Sequence, residues 1–180
     1  MHIKITTLAE NTAAKMGVLA EHGLSMLVEV DDLCLLLDTG QTDTVVRNAR
    51  VLGVDLSRVQ HIVLSHGHSD HTGGLLRVLA ETGEVIVHAH QEVFRPRYGT
   101  RGGGKPRYTG LPHLREQLES MGARFQLSEG PDRITPQAMT TGPVPRITPF
   151  EHVDVDLKVR TPRGLEQDEI PDDQSLLIKT

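Results

Sequence analysis

Runs of apolar residues separated by polar connections divide the first part of the chain into predicted strands and a helix. Alternation in HIKITTL predicts a first strand, and LSMLVEV and LCLLLDTG predict two more that meet in a hairpin turn at Asp31 and Asp32. Apolar residues at helical spacing predict a helix over residues 42–52, with Thr42 as its cap. The aliphatic character of these segments is typical of buried strands covered by helices.

A strand, a loop, a helix and another strand follow between residues 55 and 90. HIVLS predicts a short buried strand, residues 70–80 a helix, and EVIVHAH the next strand. HLREQLESMGARF predicts a helix that leads into the strand ARFQLS, and DQSLLIKT predicts a last strand. This order predicts an α/β (α+β) fold, in which one sheet is covered by helices, and a single domain over residues 1–180.

Composition and charge narrow the class of protein. The net charge of −5 over 180 residues argues against a general nucleic-acid binder. The single cysteine, Cys34, excludes an internal disulfide framework. The sequence MHIKITTLAENTAAKMG lacks the apolar region of a signal peptide, and no apolar run is long enough to span a membrane. We therefore expect a cytoplasmic protein without a membrane partner.

Four side chains that commonly bind metals lie within six positions directly after the strand HIVLS: His66, His68, Asp70 and His71. Residues two apart at a strand end point to the same side, so the first two histidines can hold one zinc ion, and Asp70 and His71 can reach a second. The alternative is a polar loop that binds metal adventitiously, but four such residues in six positions favour a metal site. His61, inside the strand, is assigned a structural role.

Asp38 ends another apolar strand, at LLLDTG. A carboxylate in this position can hydrogen-bond a ligand histidine or a metal-bound water. A metal lowers the pKa of bound water to about 7, which provides hydroxide at neutral pH. We therefore predict that Asp38 orients a metal site at this end of the sheet.

The motif HGHSDHTGG resembles the signature of the metallo-β-lactamase superfamily, and LLLDTG resembles its upstream aspartate strand. EHGLS, NARVLGVDL, FRPRY, MGARFQLSE, TTGPVPRITPFE and DDQSLLIKT extend the match over essentially the whole chain. Their order resembles the branch of dihydropterin-linked ribofuranosylaminobenzene 5′-phosphate synthase-like metallohydrolases. The resemblance implies an αββα sandwich in which His66 and His68 bind the first metal and Asp70 and His71 the second. Asp70 would also position the attacking water. The resemblance thus implies a metal-dependent hydrolase with Asp38 and Asp70 as catalytic residues and one or two zinc ions, or manganese or iron, as cofactor.

The resemblance also implies ligands that this sequence does not provide. A third histidine, expected in a Gly-Cys-Ser-His-like loop after the strand DDQSLLIKT, a bridging aspartate and a further histidine normally come later in the chain. His152 precedes the expected strand and fits the pattern poorly as a substitute. We therefore expect the N-terminal half of the sandwich plus an inserted lid. The chain would be truncated, completed by a complementary C-terminal half, or a homo-oligomer.

Residues 91–115 predict a lid or loop that contains three consecutive glycines, and residues 95–115 within it carry six basic residues and no acid. Arginine suits phosphate or carboxylate, and tyrosine can stack on a ring. We predict that the lid and its neighbours bind a small anionic, phosphorylated substrate through His22, His90, Arg95, Arg97, Tyr98 and Arg107. A solvated, mobile loop is the alternative. The acidic residues between Gly164 and Asp173 are expected to be solvated.

Overall fold

The computed structural model describes residues 2–179, which form twelve strands and four α-helices. The strands are β1 (Ile3–Ala9), β2 (Ser25–Val30), β3 (Leu33–Leu37), β4 (His61–Val63), β5 (Val85–His90), β6 (Arg97–Gly99), β7 (Arg107–Tyr108), β8 (Ala123–Ser128), β9 (Ala138–Pro143), β10 (Leu157–Thr161), β11 (Gly164–Gln167) and β12 (Gln174–Ile178). The α-helices are α1 (Thr44–Leu52), α2 (Ser69–Thr72), α3 (Leu75–Thr82) and α4 (Arg115–Ser120). Within this described range, no helix has both the length and the apolarity needed to cross a membrane.

The largest sheet has six strands in the order β1-β2-β3-β4-β5-β8. Its first three strands are antiparallel, and β3, β4, β5 and β8 run parallel. The predicted hairpin between β2 and β3 is confirmed, because Val30 pairs with Leu33 across the turn and Asp31 takes a left-handed φ of 50°. The predicted α/β class is confirmed by this sheet and its helices.

The central strands of this sheet are buried on both faces. Leu35 and Leu36 are neighbours in β3 that point to opposite faces, yet both are 0% exposed. The Leu36 face packs against α1, α3 and α4, whereas the Leu35 face packs against Ala138 of β9 and the half-buried Leu176 of β12. Because burying a leucine side chain contributes about 1.5–3 kcal/mol, both layers contribute to stability.

Strands β9 and β12 form an antiparallel pair that covers part of the second face. The other small sheet has the order β11-β10-β6-β7. This second arrangement corrects the expectation of a lid or loop over residues 91–115. The segment supplies two strands to a sheet, because the β6 residues pair with β10 as well as β7. The turn between β6 and β7, with Gly102–Gly104, is exposed on the surface as predicted.

The helices differ from their predicted boundaries in two places. Helix α1 begins at Thr44, and Asp43 is its N-cap residue, although the Thr42 hydroxyl accepts a hydrogen bond from the Thr44 N–H at 3.3 Å. The single helix predicted over residues 70–80 is two helices, α2 and α3, with Gly73 and Gly74 between them. Gly74 lies against the Thr39 carbonyl oxygen, which a β-carbon would overlap. The backbone is therefore packed too closely here for a larger residue.

Candidate metal centre

The loop between β4 and α2, together with the first turn of α2, brings together the four predicted metal ligands. The ring centroids of His66 and His68 are 4.9 Å apart, and those of His66 and His71 are 4.2 Å apart. Asp70 Oδ2 lies 3.5 Å from His71 Nε2. His68 is the N-cap residue of α2 and has an extended backbone, so the next two ligands begin a helix beside it.

Asp38 orients this cluster from beneath. Its carboxylate is fully buried and accepts hydrogen bonds from the Ser65 N–H, the Ser65 hydroxyl and His71 Nδ1–H, each at 2.7 Å. A carboxylate that accepts from one ring nitrogen fixes the tautomer of a histidine and leaves the other nitrogen free to bind a metal. Asp38 therefore presents His71 Nε2 toward Asp70, as second-sphere carboxylates do in metal sites.

The three histidines of the cluster have different proton affinities. Burial, followed by the neighbouring His71, holds the pKa of His66 well below its usual range. Burial and the Arg97 charge lower the pKa of His68. Burial by itself would lower the pKa of His71, but the hydrogen bond and charge of Asp38 raise it. Burial thus favours the neutral form of His66 and His68, which is the form of imidazole that binds metals.

The side chains of this cluster are of the types that bind metal ions, but too few of them are close together to form a complete site. His68 Nε2 is buried and has no hydrogen-bond partner, although buried polar atoms are normally paired. An imidazole nitrogen of this kind is a preferred ligand of zinc. Among residues 2–179, however, no three His, Cys, Asp or Glu side chains are grouped closely enough to hold an ion as they stand.

A cluster of buried charged side chains lies next to the histidine loop, which is the loop of residues 64–68 between β4 and α2. Arg97 is 0% exposed, and its Nε donates to Asp168 Oδ2 at 2.9 Å. Its Nη2 lies 2.6 Å from Asp172 Oδ1 in an ion pair whose angle is too poor for a hydrogen bond. Asp172 Oδ2 accepts the Gly67 N–H at 2.8 Å. The cluster therefore connects β6 and the segment before β12 to the backbone of the histidine loop.

Two expectations from the sequence do not agree with this cluster. Arg97 was predicted to bind substrate from an exposed lid, but its guanidinium lies in the interior between two carboxylates. The acidic segment before β12 was expected to be solvated, but Asp168 and Asp172 are 1% and 0% exposed. Both expectations assumed that charged side chains face water, and pairing with an opposite charge offsets part of the cost of burying them.

Asp173 and Gln174 lie beside the histidine loop. Burial raises the pKa of the Asp173 carboxyl against the opposing charge of Arg146, whose Nη2 lies 3.3 Å away. Gln174 donates from its side chain to the Leu64 carbonyl and from its backbone to the Ser65 carbonyl, each at 3.0 Å. These hydrogen bonds attach β12 to the end of β4, where the histidine loop starts.

The backbone at Gly67 is packed closely against Val93 and Arg97. A β-carbon there would overlap the Val93 carbonyl oxygen and Arg97 Nη1. We expect Gly67→Ala to lower the free energy of unfolding by about 1–3 kcal/mol, because overpacking forces the backbone apart. Chemical denaturation measures this loss. Gly130→Ala is the control, since nothing lies within 4 Å of its added carbon. Equal losses in the two variants would contradict the close approach.

The structure places the other predicted substrate residues in different surroundings. His22 is exposed, and its Nε2 lies 3.3 Å from Asp70 Oδ2 at the rim of the candidate centre. His90 is buried, and its Nδ1 accepts the Glu92 N–H at 3.2 Å, so it caps a short 3₁₀ turn. His61 Nδ1 lies 3.1 Å from His88 Nε2, and this contact suits the structural role assigned to it.

The remaining three residues lie on the β6–β7 side of the molecule. Arg95 is half-buried and pairs with Glu92 at 2.7 Å. Tyr98 packs edge-to-face against Tyr108, with ring centroids 5.6 Å apart. Arg107 is exposed in β7. Of the three predicted arginines, Arg97 is therefore the one whose donors already bind carboxylates in the interior.

Asp168, Asp172, Asp173 and Arg146 are the residues that sequence reasoning missed. One signal was present: a basic block without acids over residues 95–115 and an acidic block without bases over residues 164–173. Blocks of opposite sign can pair with each other as well as face solvent. Such a pairing would have directed attention to Asp168 and Asp172 as partners of an arginine in the basic block.

Comparison with known proteins gives consistent matches. The family model of the metallo-beta-lactamase superfamily matches residues 19–170. A 7,8-dihydropterin-6-methyl-4-(beta-D-ribofuranosyl)-aminobenzene-5'-phosphate synthase from Methanocaldococcus jannaschii is 33% identical over 150 residues, which cover 79% of this chain and 51% of that protein. An uncharacterized protein of the same archaeon is 32% identical over 178 residues, which cover 97% of this chain and 66% of that protein.

A solved structure matches nearly the whole chain. The crystal structure of Tm1679, a metal-dependent hydrolase of the beta-lactamase superfamily, superposes with a TM-score of 0.78 at 28% identity. The match covers 99% of this chain and 62% of that chain. The chain thus spans about half of the named synthase and less than two thirds of the solved hydrolase.

Proposed function

Because the chain belongs to the metallo-β-lactamase superfamily, we propose that it is a metal-dependent hydrolase that acts on a small, anionic, phosphorylated substrate. The observation that carries this proposal is the buried, unpartnered Nε2 of His68 beside His66. A buried nitrogen without a hydrogen bond is costly unless something binds it, and a metal ion is the ligand that suits two neutral imidazoles.

We assign His66 and His68 to one ion and Asp70 and His71 to a second, with zinc as the first candidate and manganese or iron as alternatives. When bound, the ion supplies Lewis-acid chemistry that activates water at neutral pH. Asp38 holds His71 in one tautomer and orientation through its 2.7 Å hydrogen bond. The half-buried Asp70 carboxylate accepts a proton from water and orients it.

The substrate class is proposed from charge and from a relative. The name of the M. jannaschii relative describes a phosphorylated aminobenzene product. Arg95 and Arg107 lie on the basic segment beside Tyr98, and His22 lies at the rim next to Asp70. Guanidinium groups suit phosphate, and an aromatic ring can stack on a planar substrate. We propose these four side chains, together with His90, as the substrate-binding set.

A second candidate is a subunit that is inactive alone and acts when a complementary C-terminal half or a second copy completes the metal site. Two observations favour it. No three potential ligands in residues 2–179 are grouped to hold an ion, and Met139 and Leu177 are 36% and 48% exposed where they pair across β9 and β12. Mass in solution together with metal stoichiometry separates the candidates. A monomer that holds metal and turns over substrate would exclude the second.

The proposed function is tested by comparing His68→Ala with the wild type. We expect metal affinity to fall by more than the roughly 10–100-fold that loss of an outer-sphere partner costs. Hydrolysis of bis(p-nitrophenyl) phosphate should fall in parallel. Metal content after dialysis and initial rates are the measurements. His152→Ala, at an exposed histidine, is the control. Equal metal content in wild type and His68→Ala would refute the ligand assignment.

A further inference from the structure

The small sheet β11-β10-β6-β7 and its turn carry a group of positively charged side chains without acidic partners. Of the six basic residues in the block 95–115, three form ion pairs: Arg95, Arg97 and Arg115. The other three lie at or next to the exposed β6–β7 turn, and β10 adds two more. The unpaired cations are Arg101, Lys105, Arg107, Lys158 and Arg160, none of which forms an ion pair within the described residues 2–179. Unpaired charges of one sign on one surface indicate a partner of the opposite sign.

The sheet brings part of this group together with two tyrosines on its outer face. Tyr98 pairs in register with Lys158 of β10 and with Tyr108 of β7, so these three side chains share one face. Arg160 lies two residues along β10 on the same face, with its guanidinium carbon 5.0 Å from the centroid of the Tyr98 ring. Arg97, one residue from Tyr98, points to the opposite face and is buried. The outer face is therefore both aromatic and cationic.

Tyr108 is held in a fixed orientation while its side chain remains in contact with solvent. Its hydroxyl donates to the Leu111 carbonyl at 2.9 Å, and its ring packs edge-to-face against Tyr98. It is nevertheless 49% exposed. A rigid aromatic ring loses little conformational entropy when a planar group stacks on it, and stacking of a nucleic-acid base on such a ring contributes about 1–3 kcal/mol.

The acidic side chains that border this surface already have other partners. Asp156 accepts hydrogen bonds from the Gly102 N–H at 2.7 Å and from the Thr100 hydroxyl at 3.1 Å. Glu166 pairs with Arg163 at 3.1 Å. The net charge of −5, from which a general nucleic-acid binder was not expected, therefore does not describe this surface, because the charges are distributed unevenly.

We propose that this surface binds single-stranded nucleic acid, with the five cations along the phosphate backbone and a base stacked on Tyr108. A single strand exposes both its phosphates and the faces of its bases, whereas the bases of a duplex stack on each other and cannot reach the ring. An acidic peptide or an anionic lipid surface would be bound through the cations alone. The proposal is independent of the hydrolase activity proposed above and of any metal ion.

The charge contribution is tested by the salt dependence of binding. A fluorescent oligouridylate is titrated with the whole chain in EDTA, where metal-dependent cleavage cannot remove the probe, and fluorescence anisotropy gives the affinity. Each contacted phosphate contributes about 0.7 to the slope of log affinity against log salt concentration, so five contacts predict a slope of about −3.5. The double variant Arg101→Ala/Lys105→Ala should reduce it to about −2. The matched control Lys15→Ala/Arg77→Ala removes two exposed cations outside the surface and should keep the wild-type slope.

The stacking contribution is tested by comparing Tyr108→Leu with Tyr108→Phe. Both variants lose the hydrogen bond to Leu111, but only phenylalanine keeps the ring. We expect oligouridylate to bind about 5–150-fold more weakly to Tyr108→Leu than to Tyr108→Phe, with the same salt slope. Inorganic polyphosphate, which has phosphates but no bases, should bind equally to both. Circular dichroism checks that the two variants are folded to the same extent.

Three results would overturn the proposal. A wild-type protein that does not bind oligouridylate at low salt would exclude this partner. Equal affinities of the two Tyr108 variants, or equal binding of a duplex of the same length, would reduce the surface to a site for polyanions in general. Binding of phosphatidylserine vesicles without binding of oligouridylate would assign it to a membrane. Hydrolysis is measured separately with metal added, so the proposed function can fail while this proposal holds, and the reverse.

Discussion

Replacing Arg97 by alanine is expected to lower the free energy of unfolding by about 3–5 kcal/mol. The change leaves Asp168 and Asp172 buried without their counter-charge, and removing one partner of a buried ion pair costs this much. Since domains are stable by about 5–15 kcal/mol, the loss is a large share of the total. Urea denaturation followed by circular dichroism measures it, with the slope checked for two-state behaviour.

Arg95→Ala is the matched control for this prediction. Arg95 lies two residues away in the same basic segment, but its side chain is 36% exposed and pairs with Glu92 near the surface. Surface pairs contribute about 0–1 kcal/mol, so the control should stay close to wild type. Arg97→Lys should lie between the two, because an ammonium keeps the charge but cannot bond both carboxylates in a fork. A loss below about 1 kcal/mol in Arg97→Ala would show that the buried pairs do not stabilise the fold.

The second large effect is expected at Asp38. Asp38→Ala should lower the free energy of unfolding by about 3 kcal/mol, because it leaves the donors of Ser65 and His71 unpaired in the interior. Asp38 also has a left-handed φ of 55°, which alanine adopts less readily. Metal affinity should fall roughly 10–100-fold as His71 loses its orientation. Denaturation and chelator competition measure the two effects separately.

Asp38→Asn separates the effect of the left-handed backbone conformation from the effect of the carboxylate charge. Asparagine tolerates the left-handed conformation and still offers one acceptor oxygen, so we expect a smaller loss of stability than with alanine. Metal affinity should still fall, because the amide cannot hold His71 as a carboxylate does. Asp32→Ala, at an exposed turn position, should change neither quantity. Wild-type metal affinity in both Asp38 variants would be incompatible with the orienting role.

Periodicity predicted the large sheet well and the small sheet poorly. Strands β1 to β5, β8 and β12 all fall on apolar or alternating runs, because their side chains enter the cores on either face of the sheet. Strands β10 and β11 were not predicted. Their residues are mostly half-buried or exposed, so LKVRT and GLEQ carry no clear apolar face. Their pairing with β6 and each other depends on backbone hydrogen bonds, which no side-chain pattern reveals.

The histidine loop was predictable because its candidate metal ligands are neighbours in the sequence. His66, His68, Asp70 and His71 lie within six positions, and Asp38 marks the end of an adjacent strand. Asp168 was not predicted, because its place beside His68 depends on a contact between residues a hundred positions apart. A single sequence gives the charge of each side chain but not the partner that makes its burial favourable.

The connections between β12 and the histidine loop also bear on the order of folding. Gly67 and Asp172 are 105 positions apart, and Leu64 and Gln174 are 110 apart. Closing loops of this length costs conformational entropy before any contact repays it, and distant contacts slow folding. The local hairpin of β2 and β3 can form early, whereas the histidine loop reaches its native shape only after residues 168–174 arrive. A folding intermediate would therefore have its large sheet before its histidine loop takes the native shape.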